Sequence, residues 1–97
     1  MPQYVAVYVS TFQEDLIRLG LNKKSKRVLK KDINLILENP HRKAERVKEI
    51  TQVQLWRRWV CGGKYRIVYK IEEEKITFYT IALKDEHTYK RIRLELN

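Results

Sequence analysis

Cysteine is almost missing from this 97-residue chain, with Cys61 standing alone. That excludes an internal disulfide framework and a thiolate metal site. A chain this small without covalent staples fits a reducing cytoplasm, so a cytoplasmic location is expected. Cys61 itself, beside a glycine turn, reads as a small filler rather than a nucleophile. Histidine is scarce too: His41 and His87 are far apart with no ligand cluster near either, so neither a metal nor a cofactor is expected. The few glycines form no phosphate-cradling loop, because Gly62-Gly63 sits between two strand-like runs. No apolar run approaches the roughly 20 residues of a membrane-spanning helix, and no membrane partner is expected. The apolar stretch from Tyr4 to Val9 is too short for a signal-peptide core, and nothing basic precedes it. Repeats, linkers and low-complexity segments are lacking, so residues 1–97 are read as one domain.

What the chain has in excess is positive charge. Lysine and arginine outnumber aspartate and glutamate by 21 to 12, for a formal net charge of +9. Such an imbalance points to a polyanionic partner: nucleic acid first, an acidic protein segment second. The densest run is Lys23, Lys24, Lys26, Arg27, Lys30 and Lys31, six cations in nine residues with no acid among them. It reads equally as a solvated helix face and as a binding surface. A hydrophobic content of 43% places the chain among globular proteins with a modest core.

The segment from Trp56 to Ile71, WRRWVCGGKYRIVYKI, predicts two strands joined by a tight turn at Gly62-Gly63, where positive φ angles are needed. Beyond the turn, Tyr65, Ile67, Tyr69 and Ile71 alternate with Lys64, Arg66, Val68 and Lys70. One face is then apolar and the other carries three cations around a valine. A cationic strand face is costly unless it stays in water or meets an anion. Upstream, Tyr4 to Val9 predicts a first strand whose near-continuous apolar character fits the inside of a sheet. Thr11 and Glu14 form a capping box for a short helix bearing Phe12, Leu16 and Leu19, which Gly20 closes. Ser25 is expected to cap a second helix reaching Glu38, with Leu29, Ile33, Ile36 and Leu37 on one stripe and Asn39-Pro40 as the stop. Residues 41–51 read as a connecting loop anchored by Val47 and Ile50. Glu72 to Glu74 form an acidic turn, and Ile76 to Leu83 predicts a central strand. In the tail, Ile92, Leu94 and Leu96 alternate as in a strand, while Tyr89, Ile92 and Leu96 suit a short helix, the reading preferred.

The predicted fold class is therefore α+β, in the order β-α-α-β-β-β plus a short C-terminal element. Two N-terminal helices pack on one face of a small, mainly antiparallel sheet. The other face, carrying Arg66, is expected to stay open as a concave cationic surface.

The chemistry left to such a chain is that of basic and phenolic groups: Arg57, Arg58, Lys64, Arg66, Lys84, His87 and Tyr89. Together they could support metal-free RNA cleavage, in which the 2′-hydroxyl attacks the adjacent phosphate. Arginine suits the charge on the phosphorane, because its planar fork pairs two oxygens and stays protonated. Histidine, or a lysine of depressed pKa, suits the proton transfers. Tyrosine can stack a base or donate a hydrogen bond.

The phrase GGKYRIVYKIEEEKITFYTI, followed by Lys84 and a Tyr89-Lys90 pair, resembles the RelE/ParE superfamily of toxins from type II toxin–antitoxin modules. FQEDLIRLG after the first strand and the basic second helix ending in LENP agree with it. The resemblance implies a compact sheet with helices on one side and a small antitoxin that wraps the toxin. RelE-type members are ribosome-dependent, metal-independent endoribonucleases of mRNA; ParE-type members share the fold and act on DNA gyrase. Carried over, the resemblance makes Arg57, Arg66, Lys84, His87 and Tyr89 the catalytic candidates. Lys23, Lys24, Lys26, Arg27, Lys30, Lys31, Arg58 and Lys64 become candidates for contacting mRNA and ribosomal RNA. Trp59 departs from the pattern by standing where RelE has a second lysine; Arg58 could replace it only if a bulge shifted the strand register. The expected function is RNA cleavage, with gyrase inhibition and non-catalytic RNA binding as the alternatives.

Overall fold

Two patterns of apolar residues, one with period 3.6 and one with period two, organise the residues that the computed structural model describes: 4–83, Tyr89 and Ile92. Strand β1 (Val5–Tyr8) leads into helices α1 (Ser10–Leu19) and α2 (Lys23–Glu38). Strands β2 (Glu45–Arg46), β3 (Trp56–Val60), β4 (Tyr65–Ile71) and β5 (Lys75–Leu83) follow. They form one sheet in the order β1-β5-β4-β3-β2, antiparallel except for the parallel pair β1 and β5. The α+β class is as expected. Lys84 to His87 and most of the proposed C-terminal element lie outside the described residues. Among the described residues no helix is long and apolar enough to cross a membrane.

The first core lies between the helices and the sheet. The stripe predicted for α2, Leu29, Ile33, Ile36 and Leu37, is buried there with Phe12 of α1 against Tyr65, Ile67, Tyr69, Phe78 and Ile81. Full burial of each such side chain contributes roughly 1.5–3 kcal/mol. Gly20 ends α1 in the left-handed region at φ 57°, a conformation that glycine adopts without a Cβ penalty.

Several local expectations change. Thr11 does not cap α1: the helix begins at Ser10, and the Thr11 hydroxyl donates to the Tyr79 carbonyl at 2.6 Å, tying the helix to β5. Asn22, not Ser25, caps α2, its side chain accepting the Ser25 amide at 2.8 Å. The β3–β4 turn is looser than two residues, since Cys61 (φ 55°), Gly62 (67°) and Gly63 (86°) are all left-handed. Cys61 tolerates this conformation with its amide donating to Asp32 of α2 at 2.8 Å. β1 is an edge strand rather than an internal one, with Val5, Val7 and Tyr8 exposed.

The largest correction concerns the second sheet face, which is not left open. Val68, expected to sit among cations, is fully buried with Val47, Ile50, Leu55, Tyr79 and Ile92 in a second cluster. The register shifts between Val68, opposite Thr80, and Tyr69, opposite Phe78, so β5 carries one extra residue, Tyr79. That bulge sends Tyr79 to the second cluster and Phe78 to the first. Val47 and Ile50 are anchors, as predicted, but they anchor a cover for the sheet.

Two buried polar groups hold the layers in place. Asp15, on the inner side of α1, accepts from the Thr80 hydroxyl, from the Ile81 amide at 3.2 Å and from Arg18 at 3.2 Å. A buried carboxylate stripped from such donors leaves them unsatisfied. Asp15→Ala should therefore cost about 3 kcal/mol, a fall in Tm of more than about 10 °C by thermal melting. Tyr69 is fully buried, donates to the Pro40 carbonyl at 2.7 Å, and has its pKa pushed up by burial to about 12. Its native-state pKa lies above the unfolded value near 10, so the unfolded chain loses this proton first and stability falls as pH rises from about 10 towards 12. The loss approaches about 2–3 kcal/mol. Urea titrations across that range should show a shallower decline for Tyr69→Phe, which is also about 1 kcal/mol less stable at neutral pH.

Candidate functional site

Alternation along β3 sends Trp56, Arg58 and Val60 towards the helices and Arg57 and Trp59 to the opposite face. On β4 the same rule puts Arg66 beside Val68 on that opposite face, directly across from Trp59. The cover formed by residues 47–55 shields Val68, and the polar cluster lies beside it. Tyr89 packs against this second cluster and inserts between the two strands' arginines. Its hydroxyl accepts from Arg57 Nη1 at 2.7 Å, while its ring lies 5.4 Å from the Arg66 guanidinium carbon. Trp59 offers its ring to the same guanidinium at 5.9 Å. Arg66 thus lies within cation–π distance of two aromatic rings, which orient its planar guanidinium.

Arg57 is placed differently. Beyond Tyr89, it meets Glu49 at 3.3 Å and Glu45 at 3.7 Å, the latter its cross-strand neighbour on β2. The hydrogen bond to Tyr89 holds its guanidinium even more firmly protonated than usual; partial burial opposes this, and both carboxylates add to it. Arginine and tyrosine here can grip an oxyanion, but two carboxylates already share one of the arginines. Among the described residues no three of His, Cys, Asp and Glu lie close enough to hold a metal ion.

Of the catalytic candidates, Arg57, Arg66 and Tyr89 come together; Lys84 and His87 lie outside the described residues. The binding candidates do not join them. Arg58 points to the helix side and is 9% exposed, because β3 pairs with β4 without the bulge that would turn it round. Lys64 sits in the hairpin loop with its ammonium 5.4 Å from the Tyr65 ring centre. Lys23, Lys24, Lys26, Arg27, Lys30 and Lys31 are exposed on or beside α2, across the sheet from Arg66. Lys26 and Lys30 instead border a groove of about 670 Å³ between Tyr8, α1 and α2, whose apolar lining includes Phe12, Leu16, Leu29 and Ile33. Sequence reasoning missed Glu45, which a two-residue strand places opposite Arg57, and Glu49, which reaches the same arginine from the loop after that strand.

A family model describing the ParE toxin of the type II toxin–antitoxin system parDE matches residues 7–87. Two solved structures share the fold at 14% identity each. One is a mutant of the E. coli toxin RelE in the free state (TM-score 0.73, covering 98% of this chain and 99% of that one). The other is the archaeal RelE–RelB complex from Pyrococcus horikoshii OT3 (TM-score 0.66, covering 87% and 98%). Among curated proteins no sequence matches significantly. The family match and the shared fold together make the chain a toxin of the RelE/ParE superfamily. Within it, the chain belongs to the ParE toxin family of type II toxin–antitoxin systems.

Glu45 and Glu49 occupy the guanidinium of Arg57, so they would oppose any phosphate offered to it. Replacing both by glutamine should tighten binding of a short ribo-oligonucleotide about fivefold, roughly 1 kcal/mol, by fluorescence anisotropy at low salt. Unchanged affinity would mean that the carboxylates do not oppose binding.

Proposed function

We propose that this toxin is a metal-independent endoribonuclease that cleaves mRNA on the ribosome and so stops translation. The observation that carries the reading is the meeting of Arg57, Tyr89 and Arg66 at one point on the sheet. Attack of a 2′-hydroxyl on the adjacent phosphorus forms a phosphorane with an added negative charge, and the 5′-oxygen then departs. Arg66, fixed between Trp59 and Tyr89, stabilises that charge from a preset position. Arg57 orients the phosphate once Glu45 and Glu49 yield to it. Lys84 and His87 are assigned the proton transfers on residue type alone. The remaining basic residues of α2 would contact ribosomal RNA.

A cognate antitoxin completes the module. The groove between Tyr8, α1 and α2 offers it an apolar seat, and Lys26 and Lys30 on its border favour an acidic partner. The archaeal relative was solved in complex with its RelB partner.

Gyrase inhibition is the second reading. Trp59 in place of a second lysine and the carboxylates on Arg57 both weaken the grip on a phosphate. Expression in bacteria should arrest growth, and Arg66→Ala should abolish the arrest. Primer extension on mRNA from arrested cells should show cuts at ribosomal A sites. Intact transcripts with trapped gyrase–DNA complexes would replace the ribonuclease reading by the gyrase one. RNA binding without cleavage or gyrase trapping would leave a non-catalytic binder.

A further inference from the structure

Arg58 poses a separate question. It is a charged side chain 9% exposed, and its single hydrogen bond among the described residues is to the Arg42 carbonyl at 3.5 Å, the outer limit of such a contact. No carboxylate lies within ion-pair distance of it among those residues. A guanidinium has five N–H donors, and among the described residues no nitrogen of Arg58 is both sealed from solvent and unbonded, so the donors not used on Arg42 stay open to water. The side chain lines a pocket of about 150 Å³ with Arg42, Lys43, Asn39, Leu35 and Glu38. Three cations face one carboxylate there, a local excess of two positive charges. Lys43 also holds a left-handed φ of 58°, a strained conformation for a lysine that places it in the loop bordering the pocket.

A bland role for Arg58 would be to neutralise the carbonyl end of α2. A guanidinium doing so would donate to the last helical carbonyls, whereas Arg58 donates to Arg42, in the loop beyond them. We propose that the pocket is an oxyanion site for a single phosphate group, with Arg58 at its base and Arg42 and Lys43 closing over the ligand. Planar recognition by a buried arginine, supplemented by mobile cations at the mouth, suits phosphate. The same chemistry serves a free or terminal phosphate and a phosphodiester in a nucleic-acid strand. The site lies on the helix side of the sheet, so it is distinct from the Arg57–Tyr89–Arg66 cluster and does not depend on the function proposed above.

The test is thermal melting of the full chain in inorganic phosphate and, separately, in the dinucleotide UpU, each against chloride at matched ionic strength. Binding to the native state raises Tm with ligand concentration. A rise with either ligand is expected; phosphate alone would identify a terminal group, and UpU a strand. The exposed double variant Arg42→Gln/Lys43→Gln, which spares the buried arginine, should weaken the apparent affinity at least about threefold. Arg58→Gln should abolish the ligand-dependent rise, and if it does not fold the double variant still decides. Arg66→Gln removes any contribution of the Arg57–Tyr89–Arg66 cluster, and the rise that remains should be the part weakened in the double variant. No rise over chloride, or a rise lost in Arg66→Gln but kept in the double variant, would overturn the proposal. Neither outcome bears on mRNA cleavage, whose test reads transcripts in cells.

Discussion

The constraint on which the rest depends is that β4 and β5 must be covered on both faces. Ile67, Tyr69, Phe78 and Ile81 require a lid on one side, Val68 and Tyr79 on the other. The single bulge at Tyr79 makes this possible, because it lets β5 supply large side chains to both layers. Two helices form the first lid. The segment 47–55 with Ile92 forms the second, and the polar cluster occupies the same face beside it. A sheet covered on one side only would have offered a broad cationic surface; this one offers a small polar cluster with an aromatic frame.

That arrangement separates the positive charge into three places with different partners in reach. Arg66 lies against the rings of Trp59 and Tyr89, which orient its guanidinium. Arg57 is shared with carboxylates from the neighbouring strand and loop, so its charge is partly spent before any substrate arrives. The lysines of α2 stand across the sheet, two of them bordering an apolar groove. A net charge of +9 therefore does not act as one field aimed at one ligand.

Burial also decides what keeps the layers together. Asp15 is an acid inside the apolar stripe of α1, where periodicity expects none, and it stays there because Thr80, Ile81 and Arg18 supply donors. Thr11 and Tyr69 act alike, joining α1 to β5 and β4 to the end of α2 through backbone carbonyls. Apart from the Arg18–Asp15 pair, each of these bonds crosses a long stretch of sequence, so it could not be recognised from neighbours in the chain.

The helical stripe of α2, the stop at Asn39-Pro40, the hairpin centred on Gly62-Gly63 and the anchors Val47 and Ile50 were all legible in the residues. Each rests on spacing within a few positions or on the φ preferences of one residue type. Alternation along β4 put Arg66 on the face opposite the apolar one, whereas Arg57 and Tyr89 entered through the resemblance. The caps failed because neighbouring polar residues compete for the same role: Asn22 took Ser25's, while Thr11 turned to β5. Arg58 could have joined Arg57 and Arg66 only through a bulge in β3, and β3 pairs with β4 in regular register. What the sequence determined by itself was which residues are apolar and at what period, hence the elements and the faces they present. Only the tertiary structure decided that β1 lies at an edge, that Val68 is buried and that two glutamates sit on Arg57. Those outcomes depend on strand order, register and a one-residue bulge, which are settled by contacts between segments distant in the chain.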